Sequence, residues 1–366
     1  MKQFFLIIIL MSVLFSCCKV AEENNSLFQL ENVESKMGKM SELLTSVEYI
    51  PLETNDSCLL EALSKQLYNK GYVYASSNGE IMKFNKQGKF VGKLSKLGNA
   101  PFEYASIVDY DIVHRNGTTE IWVAHPNGIS RYSAETFEFL DLMTLEYPVM
   151  HLKYVSDETI VLQVSSDNTF CLCDINGNIR NEFMEKDPAN LSHGLLQFIS
   201  IHDDVYCILA GTNEAVRYNA ALDKLEIVNH TAGSDKLLTR ERNREYMNRY
   251  GYLKQPSEVA KEFTSVVTFR EKMGDTLLFL RSPEYEYLYV KKTVGWDSYQ
   301  LYPKATIEND LLPGVPQRYL LSLASCDGDD CFIQSIPAAV LDGVEINGKI
   351  IREEDNPVIM RYLINN

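Results

Sequence analysis

The sequence predicts an all-β fold: a six-bladed β-propeller built from four-stranded blades. Three observations carry this expectation. Gly71–Leu94 reads as three short strands joined by turns at Ser77-Asn78-Gly79 and Gln87-Gly88-Lys89, and such a ribbon cannot bury its apolar face alone. A comparable four-strand unit starts at 61, 106, 151 and 197, a period of about 45 residues that matches propeller blades. A β-sandwich has no reason to keep that period. Aromatic residues are 11% of the 366-residue chain, with 21 Tyr and 16 Phe, as suits a sheet-rich core.

The first segment lies outside the repeats. Met1-Lys2 is followed by an apolar run, Phe4 to Phe15, broken only by Ser12. It has the length of a signal-peptide core and is short for a bilayer span. Leu14-Phe15-Ser16-Cys17 places Leu at −3 and Ser at −1 before a Cys, which resembles the bacterial lipoprotein signal. Residues 1–16 are then the signal and Cys17 the lipidation site, with Cys18 the weaker candidate. A plain secretory signal or N-terminal anchor is the alternative. Residues 17–45 begin with Lys19, Glu22, Glu23, Asn24 and Asn25 and read as a tether.

The propeller is expected over 46–366. Val47–Leu52 alternates and then meets Pro51, an edge-type strand ahead of the repeats. Blade one is Glu61–Leu97, with Ala62–Tyr68 as its inner strand. Blades two, three and four are Ser106–Met143, His151–Met184 and Gln197–Val228. Residues 234–262 lose the alternation and carry Arg240-Glu241-Arg242-Asn243-Arg244-Glu245, which predicts a helical insertion between blades four and five. Its arginines either pair with its own glutamates or form a basic rim site for an anion. Blade five resumes at Thr264–Phe269. Blade six starts near Arg318–Ala324, continues at Cys331–Ile336 and ends on Pro357–Ile364. It lacks an outer strand, and Val47–Leu52 lacks a partner, so pairing them closes the ring and removes two sheet edges.

Composition excludes some functions. The formal charge of −15, with no Lys/Arg stripe, argues against a nucleic-acid partner. No G-x-S-x-G, H-E-x-x-H or Walker loop is present. Eight Cys include no C-x-x-C pair, which argues against zinc. Cys171 and Cys173 share one strand face and cannot easily bridge each other, whereas Cys326 and Cys331 flank a turn and form a candidate disulfide. Candidate channel-lining binding residues on the predicted inner strands are Glu61, Asp109, Asp111, His151, His202, Arg270 and Arg318; Lys65 is a further polar residue on these strands. A catalytic metal site would need Glu61, Asp109 or Asp111, and Asp203 to converge from different blades.

Val47-Glu48-Tyr49-Ile50-Pro51-Leu52-Glu53, the Gly88–Leu94 turn and strand, Gly98-Asn99-Ala100-Pro101-Phe102-Glu103-Tyr104 and Glu354-Asp355-Asn356-Pro357-Val358 together resemble the six-bladed β-propeller lipoproteins of Bacteroides type, relatives of NHL-like propellers. That family usually has Gly where Ala100 and Phe102 stand. The resemblance covers nearly all the mature chain. It implies fold and export, and it carries no established catalytic residues. The expected function is that of a lipid-anchored envelope module, on the periplasmic face or the cell surface. It would be a monomer without a cofactor, binding an unidentified protein, peptide or glycan. The alternative is a metal-dependent hydrolase or lactonase acting in the channel.

Overall fold

The computed structural model describes residues 26–30, 37–187, 198–251, 253–272, 275–281, 286–291, 300–303, 307–312, 315 and 331–363. They form a β-propeller with four-stranded antiparallel blades in sequential order. Blade 1 comprises Lys65–Asn69, Tyr72–Ser77, Glu80–Asn85 and Phe90–Leu94. Blade 2 comprises Asp109–Arg115, Thr118–His125, Gly128–Ser133 and Phe139–Thr144. Blade 3 comprises Val149–Ser156, Thr159–Val164, Asn168–Cys173 and Ile179–Glu185. Blade 4 comprises Ile199–Ile201, Asp204–Ile208, Glu214–Asn219 and Lys224–Asn229. Blade 5 comprises Ser265–Lys272, Asp275–Arg281, Glu286–Lys291 and Gln300–Pro303.

The expected count of six four-stranded blades is thus corrected to five among the described residues. The remaining sheet has three strands, Phe332–Ile336, Val358–Leu363 and Ser46–Pro51. The strand expected at Arg318–Ala324 lies outside the described residues.

Period-two alternation explains how the blades stack. Each middle strand is covered on both faces, so it reads as a continuous apolar run, but successive residues go to different interfaces. Tyr74 and Ile81 pack toward blade 2 with Tyr110 and Ile121. Their neighbours Val73, Ala75 and Met82 pack toward the three-stranded sheet with Ile333 and Ile359. Trp122 and Ala124 meet Leu162 and Cys171, while Val161 and Leu172 meet Cys207 and Val216. Tyrosines at these seams bury their rings and send the hydroxyl to backbone. Tyr110 Oη donates to Tyr74 O at 3.0 Å, and Tyr104 Oη to Gly79 O at 3.0 Å. Outer strands are largely exposed, as in the Ile179–Glu185 strand.

The N-terminal strand closes the ring. Ser46–Pro51 pairs antiparallel with Val358–Leu363 over six residues. Gly88 seats the outer turn of blade 1 against this strand. Its φ is +79°, and a Cβ there would lie 2.1 Å from Pro51 O. Asn356, 1% exposed, joins the chain ends. Its Oδ1 accepts from Leu60 N at 2.7 Å, and its Nδ2 donates to Glu53 O and Cys58 O at 2.6 and 2.7 Å.

Two described pieces of the segment read as a tether pack on the propeller. Phe28–Gln29 pairs parallel with Thr231–Ala232, with Phe28 only 1% exposed. Helix α1 (Met40–Leu43) buries Met40 and Leu43 beside Phe332 and Tyr362. Between blades 4 and 5 lie α2 (Arg240–Tyr250), capped by Thr239, and α3 (Gln255–Glu262). Among the described residues no helix is long and apolar enough to cross a membrane.

Since consecutive strands alternate in direction, every inner strand starts, and every outer strand ends, on one rim. That rim carries the long connections 52–64, 95–108 and 230–264; the other carries tight turns such as 70–71, 116–117 and 202–203. Asn356→Ala is expected to lower stability by roughly 2–4 kcal/mol, because it leaves a buried N–H and two buried carbonyls without their amide partner. Chemical denaturation measures this, and a loss under about 1 kcal/mol would show that the clasp is redundant.

Candidate functional site

The inner strands of blades 1, 2 and 3 begin on the loop-rich rim with Lys65, Asp109 and, near its start, His151. These residues come together at a cleft of about 110 Å³, lined also by Ser64, Ser76, Ser77, Gly79, Ile107, Val108 and Tyr110. Asp109 is 6% exposed. Its Oδ1 accepts from Lys65 Nζ at 2.7 Å, and its Oδ2 from Leu152 N at 3.1 Å. Oδ2 also lies 3.3 Å from His151 Nδ1. Lys65 Nζ donates a second bond to Tyr110 O at 2.7 Å. One carboxylate therefore ties three blades together.

An ionised carboxylate only accepts, so Nδ1 carries the proton in the His151 contact, and in the neutral ring Nε2 is then an acceptor. Burial works against the Asp109 charge. The Lys65 ammonium and the His151 contact outweigh it, and the carboxyl is held at about 2. An exposed apolar side chain, Val108 at 36%, flanks the polar set. Leu97 sits over Gly79, within 3.3 Å of where a Cβ would stand.

Asp111 belongs to the same strand but serves the seam. It accepts from Lys153 Nζ at 3.2 Å and Tyr154 N at 3.3 Å. Asp109 and Asp111 thus satisfy alternate edge N–H groups of blade 3's inner strand, which no ladder partner would otherwise reach.

Other sequence candidates are not brought to the cleft. Glu61 is exposed and accepts from Asn78 Nδ2 at 2.7 Å. His202 is exposed in a turn on the opposite rim at φ 53°. Arg270 lies on blade 5's inner strand opposite Leu277. Arg318, Cys326 and Cys17 lie outside the described residues. Cys331 is buried, with Arg361 Nε 3.4 Å from its Sγ.

Among the described residues no group of three His, Cys, Asp or Glu side chains converges as a metal site. At the cleft, the Lys65 ammonium occupies the position beside Asp109 where a cation would sit. The arginines of α2 are also committed. Arg240 pairs with Glu214 at 2.7 Å, Arg244 with Asp187 at 2.6 Å and Arg249 with Glu245 at 2.9 Å. Arg242 donates to Asp235 O and Leu237 O. Sequence reasoning set Lys65 apart from the main candidates and passed over Ser77 and Tyr110. The usable signal was spacing: Lys65, Asp109 and His151 are 44 and 42 residues apart, which is the blade period.

The folded Asp109 carboxyl lies below its unfolded value of about 3.9. Its charge therefore stabilises the fold fully above about pH 4, and that contribution is lost as pH falls toward 2. Asp109→Asn is expected to cost about 2–3 kcal/mol at pH 7, with the gap from wild type closing between pH 4 and 2. Denaturant titrations across that range decide it; a gap that stays constant would refute the charge-based account.

The fold is similar to that of a protein from Bacteroides fragilis inferred to be exported, at 18% identity and a TM-score of 0.70, covering 91% of this chain and 98% of that one. A member of the DUF4221 family from Bacteroides vulgatus is a looser likeness, 12% identical with a TM-score of 0.49, covering 87% and 97%. No match was found among curated proteins. Over residues 28–362 the chain matches the model of a domain of unknown function, DUF4934, and it belongs to that family.

Proposed function

We propose that this chain is an exported, lipid-anchored propeller of the cell envelope that acts by binding, with its ligand site at the Lys65–Asp109–His151 cleft. In this reading Cys17 carries the lipid, and the three-stranded sheet belongs to a sixth blade. The NHL-like resemblance belongs to the same reading. Two packing facts support a sixth blade: one face of that sheet packs on blade 1, and Val267 of blade 5 packs against the cluster on its other face.

The observation that carries the binding reading is the cleft. Three blades converge there on the rim that bears the long loops, where propellers and other scaffolds present ligand-contacting residues. Its charges are internally balanced, since the Lys65 cation faces the Asp109 anion. A strongly charged ligand gains little there. A neutral group that both donates and accepts, a hydroxyl or an amide, matches the His151 Nε2 acceptor, with the Ser77 hydroxyl nearby. Val108 and Ile107 offer apolar contact beside it. Proteins, peptides and glycans all present such groups.

A panel of short peptides and neutral oligosaccharides, followed by thermal unfolding, tests this. A true cleft ligand at about 100 times its dissociation constant stabilises wild type by about 2.7 kcal/mol and leaves His151→Ala unshifted. A ligand that shifts both proteins equally binds elsewhere and would overturn the assignment.

A further inference from the structure

Residues 234–262 contain seven Lys or Arg against five Asp or Glu, in a chain whose formal charge is −15. Helices α2 and α3 pack on each other through Tyr246 and Val259, with Tyr250 and Phe263 alongside. Asn243 and Gln255 bond between them inside the hairpin. Arg240 and Arg244 fix α2 to Glu214 and Asp187. The hairpin is therefore a held element of the loop-rich rim. Its turn nevertheless presents Leu253 at 90% exposure, the most exposed large apolar side chain among the described residues. Lys254 is exposed beside it, and Arg249 near the end of α2 is 56% exposed, in a surface pair with a Glu245 that is itself 59% exposed and so holds it only weakly. An apolar side chain with cations at its flanks is the pattern of an interfacial membrane contact.

A second observation concerns where the N-terminal segment docks. Phe28 N donates to His230 O at 3.0 Å, and Leu30 N donates to Ala232 O at 2.9 Å. The Phe28 ring is buried 5.5 Å from that of Phe269. The chain at Ser26 is thus pinned to the connector that leads into α2. Residues 18–25 alone separate Cys17 from Ser26, a reach of about 30 Å at full extension.

We infer that the α2–α3 turn is a second membrane contact. Leu253 enters the boundary between headgroups and acyl chains, and Arg249 and Lys254 face anionic headgroups. This rests on the lipid-anchor reading above. One leucine and two cations bind weakly on their own. Tethered within ~30 Å of the bilayer, the same contact forms intramolecularly and so fixes orientation. The cleft lies on the same rim, so it faces the headgroup region and its ligand is membrane-proximal.

The test places one environment-sensitive fluorophore on Leu253→Cys and, separately, on Leu222→Cys. Leu222 is 60% exposed and belongs to a turn of the opposite rim. The full-length acylated chain is reconstituted into phosphatidylcholine vesicles containing phosphatidylglycerol, and signal is read above the unsubstituted chain. Nitroxide lipids should quench the label at 253 at least twofold more than at 222. Charge reversal by Arg249→Glu with Lys254→Glu should reduce that quenching while the protein still co-sediments. Equal quenching at the two positions, or none at 253, overturns the inference. A chain that fails to co-sediment refutes the anchor as well; one that co-sediments with 253 in water refutes the contact alone.

Discussion

The pairing of Ser46–Pro51 with Val358–Leu363 is the constraint on which the rest of the molecule depends. Blades of four strands are apolar on both faces, so no blade is stable without a neighbour on each side. An open ring would leave two faces uncovered and two edges unpaired. The closing pair solves both problems with residues from the two ends of the chain. Arg361 extends the closure sideways: it pairs with Glu48 at 2.6 Å, and its guanidinium lies 4.0 Å from the Tyr68 ring centroid of blade 1. Several segments that carry the family resemblance prove to be parts of this closure or of the next seam. Asn356 is the clasp. Glu103 Oε2 accepts from Ala100 N at 2.9 Å and holds the loop that leads into blade 2.

The cleft reuses the same economy. Inner strands face the channel with one unpaired edge, and Asp109 and Asp111 occupy that edge with carboxylates. Asp109 thereby becomes buried, charged and shared among three blades, so the site is preorganised by the interactions that hold the ring. A binding site built this way needs little rearrangement to receive a ligand, which lowers the entropic cost of association. Its carboxylate is committed to a lysine and a backbone amide, and the buried thiols of Cys171, Cys173 and Cys207 are pushed up to about 12 by desolvation.

Much of the fold was legible because blades obey a period. Strands of blades 1 to 5 fall close to their expected places, and the isolated strand ahead of the repeats finds the partner its hydrophobic pattern demanded. The strap at Phe28–Gln29 was not legible. A two-residue parallel pairing has no periodicity, and a single buried Phe in a polar segment looks like an exposed one. The site was legible in part for the same reason. His151 and His202 looked equivalent in sequence. The inner strand of blade 4 ends at Ile201, however, and His202 falls into the turn beyond it, whereas His151 stays in strand near the end that meets the cleft. Glu61 and Asp109 differ likewise. Both are acids near the start of an inner strand, but only Asp109 has a lysine one blade away to offset its burial.

Closure across the ends has a kinetic side. Arg361 and Glu48 are 313 residues apart in the chain, so the closing sheet is among the longest-range contacts the molecule makes. Such contacts require the largest loop-closure entropy before they return any energy, and they form late. Ser46–Pro51 must wait unpaired until Val358–Leu363 is available. During that interval its edge is open to any other strand. The Val358–Leu363 strand is therefore what separates a finished ring from an aggregation-prone, incomplete one.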